Sequence, residues 1–302
     1  MPSTSSSPDL QKILAGAQLP ALPQSAIVLL QLSQNPDNGP AEFAVPIEAD
    51  PGLTGQVLRF VNSSYFGFSR EIDNIKMAIT LVGVRTIKNF ALWSAVFSLM
   101  PNPKCGQFDL KSLWQDSLRR ALFSRAVGKA LGLRDSEDLF AAALLQDMAV
   151  PLLAKDLPED YAELLAQRDD GNVRLSDLER QRFGWDHADA AGVMARSWNL
   201  PEELARLIDA HTKIPKGTPN DTSQIGEFAV ALSAQLPACS DTSWADFEVF
   251  EEAYSLHVGA TISADEMLRG VDEQFAEFAP VLKLGTPADT LQSRYQAMLT
   301  SP

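Results

Sequence analysis

The sequence predicts an all-α fold, and three observations carry that prediction. Apolar residues recur at i, i+3, i+4 and i+7 in stretch after stretch, and prolines and glycines punctuate the stretches. No segment reads as a convincing strand, and there is no repeat of fixed period and no glycine-rich phosphate loop.

Taken in order, residues 1–8 (MPSTSSSP) hold almost nothing to bury and read as a disordered tail. From Asp9 onward the pattern is helical. Pro20 and Pro23 lead into a helix from about Gln24 to Ser33, which NPDNGP closes at Asn35 to Pro40. Asp50 and Pro51 start the next helix, with Leu53, Val57, Phe60 and Val61 as its buried stripe. It stops near Asn62, where NSSYFGFS forms a solvated loop; Arg59, Asn62 and Tyr65 offer a polar surface beside it. Ile75, Ala78, Ile79 and Val82 repeat at helical spacing, Gly83 breaks the run, and a second helix continues to about Met100. The two read as a helical hairpin, and PNPKCGQ after them is a linker and a seam between lobes.

Leu113 to Leu131 is one long helix, with Gly132 suited to its C-cap and Ser136, Glu137 and Asp138 to the next N-terminus. That next helix is LFAAALLQDMAVP, Leu139 to Pro151. LPEDYAELLAQRDDG and RLSDLERQRFG supply two amphipathic helices, and His187 to Trp198 is another. Pro201 opens a helix with Glu202 and Glu203 in its first turn and Leu204, Leu207, Ile208 and His211 along one side. After the polar loop KIPKGTPNDTS, Gln224 to Gln235 is a helix of small residues, and the remainder reads as three weaker, acid-rich helices.

Composition narrows the function classes. The 302 residues are 45% apolar, enough for a large core. With 25 basic against 39 acidic side chains, the net charge of −14 argues against binding nucleic acid or anionic membrane. No stretch approaches a membrane span or a signal peptide, so the expected location is cytoplasmic. Cys105 and Cys239 form no CxxC pattern and read as unpaired surface or half-buried thiols.

The chemistry centres on Asp147. It shares a helix face with Phe140, Ala143 and Leu144, so it is expected to be buried, and a buried carboxylate needs a cation, a histidine, an arginine or backbone N–H groups. His187 and His211 also lie on apolar faces. An acid with two buried histidines is the raw material of a metal site or of an Asp–His hydrogen-bond network. Gln146 precedes Asp147, and an amide is a poor metal donor.

Five blocks in order, LPALPQSAIVLLQL, IEADPGLTGQVLRFVNSSYFG, MAITLVGVRTIKNFAL, LFAAALLQDMAV and HADAAGVMARSWNLPEELARLIDAH, resemble those of an HDOD domain. This HD-related output domain is a bacterial signalling module similar to the HD and HD-GYP metal-dependent phosphohydrolases, and the resemblance covers about Asp9 to Leu236. It implies an N-terminal helical lobe (9–108), a degenerate HD-like lobe (109–238) and acidic C-terminal helices (239–302). It also implies that Asp116 stands where the catalytic relatives have a histidine, and that Gln146-Asp147 replaces their His-Asp pair. His187 and His211 match later histidines, Thr212 replaces the next member of that pair, and the final ligand aspartate of the helix at 224–236 is missing.

These five residues, Asp116, Gln146, Asp147, His187 and His211, are therefore read as a vestigial site with no catalytic residue. No resident cofactor is expected; a divalent ion (Fe, Mn, Zn or Mg) at low occupancy on Asp147, His187, His211 and Asp116 is the one such group they could hold. The expected function is a non-catalytic interaction scaffold whose partners are signalling proteins acting in trans, in a two-component or cyclic-dinucleotide pathway. A divergent metal-dependent phosphohydrolase is the alternative.

Overall fold

The computed structural model describes residues 10–16, 19–35, 37–134 and 136–300; the tail expected at 1–8 lies outside the described residues. The chain is all-α, with no strand among the described residues. No helix among them is long and apolar enough to cross a membrane.

The N-terminal half contains α1 (Leu10–Gly16), α2 (Gln24–Leu32), α3 (Pro40–Glu48), α4 (Pro51–Val61), α5 (Ile75–Val82) and α6 (Val84–Leu99). Asp50 caps α4 by accepting the Leu53 N–H at 3.0 Å. Helix α3 has no counterpart in the sequence reading, because Pro46 inside it removes one intrahelical donor. The helix forms because Pro46 is itself buried alongside Phe43, Ala44 and Ile47. The loop after α4 is built rather than merely solvated. Asn62 donates to Ile72 O and accepts the Ile72 N–H, both at 2.8 Å, and Tyr65 lies against Phe278.

Helix α7 (Leu110–Ala130) is the hub, buried on most of its faces between α8 (Glu137–Leu145), α14 (Thr222–Ser233) and α16 (Ala264–Phe278). Gly128 leaves room for the Leu139 side chain against α7: a Cβ there would stand 2.5 Å from Leu139 Cδ1 and push that side chain aside. The LFAAALLQDMAVP stretch is not one helix. Helix α8 ends at Leu145, Gln146 to Ala149 form a turn with N–H bonds from Met148 to Leu145 O and from Val150 to Asp147 O, and α9 (Val150–Asp156) starts afresh. Pro151 explains the break, since its missing N–H is tolerated only in a first helical turn.

The chain continues through α10 (Pro158–Gln167), a 3₁₀ turn at Asp169–Gly171, α11 (Leu175–Phe183), α12 (His187–Ser197) and α13 (Glu202–Ala210). After α14 it closes with α15 (Phe247–His257), α16 and α17 (Leu291–Thr300). One apolar core runs from Leu14 to Tyr295. Within it Phe278 of α16 sits 5.5 Å from Phe60 of α4, 4.3 Å from Tyr65 and 6.2 Å from Phe140 of α8. The C-terminal helices thus pack into the same core as the N-terminal ones. Cys105 is buried, its thiol donating to Pro158 O at 3.1 Å, and Cys239 is half-buried.

Candidate metal centre

Three secondary-structure ends deliver the central side chains. Asp147 sits in the α8–α9 turn, His187 is the first residue of α12, and His211 caps the C-terminus of α13. Helix α12 is fixed at that point by a reciprocal cap: Asp186 accepts the N–H groups of Ala188 and Asp189 at 3.0 and 3.1 Å, and Asp189 accepts the Asp186 N–H at 2.9 Å. Thr212 donates to Asp186 at 3.0 Å, tying the end of α13 to the start of α12.

Asp147 is only 3% exposed, as its place among apolar neighbours predicted. Its Oδ1 lies 3.3 Å from His187 Nε2 and 3.5 Å from His211 Nε2, and the two Nε2 atoms are 3.2 Å apart. Each ring is oriented by its other nitrogen. His187 Nδ1 is 2.6 Å from Glu179 Oε2, and His211 Nδ1 is 2.6 Å from Ile208 O. Both Nδ1 atoms therefore carry hydrogen, and the Nε2 lone pairs turn toward Asp147.

Two facing lone pairs beside a carboxylate need a proton or a cation among them. Burial alone would lower the pKa of His187, but the Glu179 charge and the hydrogen bonds to Asp147 and Glu179 push it up to about 10. Burial would raise the Asp147 carboxyl; Arg120 and the two histidines hold it well below the usual carboxylate range instead. A metal also fits the donor set. Nitrogen and oxygen donors about 2.0–2.1 Å from a tetrahedral ion stand about 3.4 Å apart, close to the three separations here.

Two charged residues at the centre escaped the sequence reading. Arg120 of α7 places Nη1 2.5 Å from Asp147 Oδ2. Glu179 of α11 is fully buried and accepts the Tyr161 hydroxyl at 2.6 Å as well as His187. A signal for Arg120 was present, since it follows Asp116 at i+4 on one helix. Glu179 lies among the charged residues of DLERQR and looks like part of a solvated face.

The structure leaves Asp116 outside the Asp/His/His group and keeps Gln146 beside Asp147. Asp116 accepts the Cys239 N–H at 2.6 Å and thus holds the segment after α14. Burial raises its pKa, against the opposing charge of Arg120. Gln146 is fully buried, with its Nε2 3.5 Å from Asp147 Oδ2 and its Oε1 3.5 Å from Ser233 Oγ. Asp116, Arg120, Asp147, His187 and His211 all line a cavity of about 260 Å³. Its far wall is the 237–246 segment, anchored by Asp241 to Arg168 at 2.6 Å and by Asp246 to Arg174 at 3.1 Å.

The sequence profile of the HDOD domain matches residues 19–214. The chain belongs to the HDOD family. Within this HDOD chain, Asp147, His187 and His211 are all inside the matched segment, whereas the wall at 237–246 lies beyond it. An uncharacterized protein of Treponema pallidum (strain Nichols) is 24% identical over 198 residues, 65% of this chain and 38% of that protein. The chain thus spans well under half the length of that curated relative.

Among solved structures, an HDOD domain protein of unknown function from Geobacter sulfurreducens superposes with a TM-score of 0.71 at 20% identity, covering 91% of this chain and 97% of that one. A candidate phosphohydrolase of Shewanella amazonensis SB2B gives 0.66 at 22% identity, covering 95% and 97%. A candidate signal transduction protein of Marinobacter aquaeolei VT8 gives 0.66 at 18%, covering 96% of this chain and 64% of its own length. These likenesses establish the shared HDOD fold.

Proposed function

We propose that this HDOD chain is a cytoplasmic signalling module that works by binding other signalling proteins and not by hydrolysing phosphodiesters. The observation that carries the reading is Asp116, whose carboxylate is tied to the Cys239 backbone at 2.6 Å while Asp147, His187 and His211 converge without it. A two-ion hydrolase needs anionic or imidazole donors for both ions. Here the position beside Asp147 carries an amide, and three donors are gathered. The family and the fold it shares with a candidate signal transduction protein support a signalling role. The charge of −14 speaks against nucleic acid as the partner.

Asp147, His187 and His211 would hold a divalent ion, with Glu179 and Ile208 O orienting the rings. Such an ion supplies Lewis acidity when bound. In this chain the surrounding residues use the centre as an internal staple: Asp147 joins the α8–α9 turn to α7 through Arg120 and to α12 and α13 through the histidines.

A second reading, a divergent phosphohydrolase on Asp147, His187, His211 and Asp116, is favoured by one observation, that all four line the same cavity. Hydrolysis of a generic aryl phosphodiester in the presence of Mn(II) separates the two. The scaffold reading expects the same background rate from the protein and from Asp147→Ala. Turnover that disappears in Asp147→Ala, with stoichiometric bound metal, overturns it.

A further inference from the structure

Arg120 stands between two acids. On α7 it follows Asp116 by one helical turn, and its Nη1 reaches the Asp147 oxygen, Oδ2, that is not turned toward the histidines. Both carboxylates are nearly buried, Asp116 at 6% and Asp147 at 3% exposure, and both act electrostatically on the Arg120 guanidinium. One Asp116 oxygen, Oδ1, accepts the Cys239 N–H. Ser176 and Gln235, each with one buried polar atom that has no partner, Oγ and Oε1, also line the cavity these groups share.

We propose that Arg120 is a built-in cation filling a second divalent-ion position between Asp116 and Asp147, which restricts this centre to one ion. Carboxylate oxygens are the donors that Mn(II) and Mg(II) prefer. A guanidinium on Asp147 Oδ2 keeps that oxygen from a second ion, whereas a two-ion clamp needs donors to both. Without Arg120, two buried carboxylates lack their counter-ion and must be protonated or recruit one. Only the first ion rests on the reading of Asp147, His187 and His211 as donors; the second position does not.

The test is calorimetric titration of the chelator-stripped protein with Mn(II), with bound metal counted by elemental analysis. Arg120→Gln is expected to bind one equivalent more than the unaltered protein. Arg120→Lys, which keeps the charge, is expected to gain none, and Asp116→Asn combined with Arg120→Gln to lose the gain. If the unaltered protein binds no ion while Arg120→Gln binds one that Asp116→Asn abolishes, the three-donor reading fails and the role of Arg120 stands. No gain in Arg120→Gln, or a gain that survives Asp116→Asn, overturns the proposal. Should Arg120→Gln not fold, Mn(II) is expected to restore its cooperative melting; a variant left unfolded at saturating Mn(II), while Arg120→Lys folds, overturns it as well.

Discussion

Glu179 accepts both N–H groups of His187, its Oε2 lying 2.6 Å from the ring Nδ1 and 2.8 Å from the backbone nitrogen. One buried carboxylate therefore sets the start of α12, the ring orientation and the tautomer together. Glu179→Ala strands His187 and the Tyr161 hydroxyl without acceptors, and is expected to cost about 3–5 kcal/mol in urea denaturation. Glu179→Gln keeps most of the volume and is expected to weaken Zn(II) binding by about 10–100-fold.

The same pairing gives the metal-free protein a pH signature. The folded pKa of His187, about 10, is above its unfolded value of 6.5, so its stabilisation is fully present below 6.5 and is lost as pH rises through 10. Asp147 runs the other way: its folded pKa is below 3.8, so its contribution is present above that value and is lost as pH falls. Denaturation midpoints measured in chelator should fall toward pH 10, and His187→Gln should flatten that alkaline limb.

Phe278 tests whether the C-terminal helices belong to the core. It is buried against Phe60, Tyr65 and Phe140, and Phe278→Ala is expected to cost about 3–5 kcal/mol. A loss near zero would make α16 a peripheral appendage.

Gly171 tests the cavity wall. Its φ is +96°, and a Cβ would stand 2.6 Å from Asp241 Cβ. Gly171→Ala should displace the 237–246 segment, cost about 1–3 kcal/mol, and raise hydrogen exchange at Thr242, Ser243 and Ala245, whose N–H groups bond to Asp170 O and Gly171 O.

The all-α class and most helices were legible because amphipathic spacing is local. Leu53, Val57, Phe60 and Val61 all prove buried, as their spacing on α4 requires. What escaped is where tertiary burial outweighs local preference. Pro46 hides α3, and Pro151 breaks a stretch whose apolar content looks continuous. Asp147, His187 and His211 are recognisable one at a time as polar residues on apolar faces, yet nothing local says that three helix ends meet. Glu179 was missed for the opposite reason, since a charge among charged residues looks solvated until the fold buries it, and Arg120 carried only its i+4 spacing from Asp116.

The most direct test of a one-ion, non-hydrolytic centre is anomalous scattering from crystals equilibrated with saturating Mn(II) or Zn(II). The structure predicts at most one peak, bounded by Asp147 Oδ1 and the Nε2 atoms of His187 and His211. Two peaks about 3.5–4 Å apart, both touching Asp147, would contradict it.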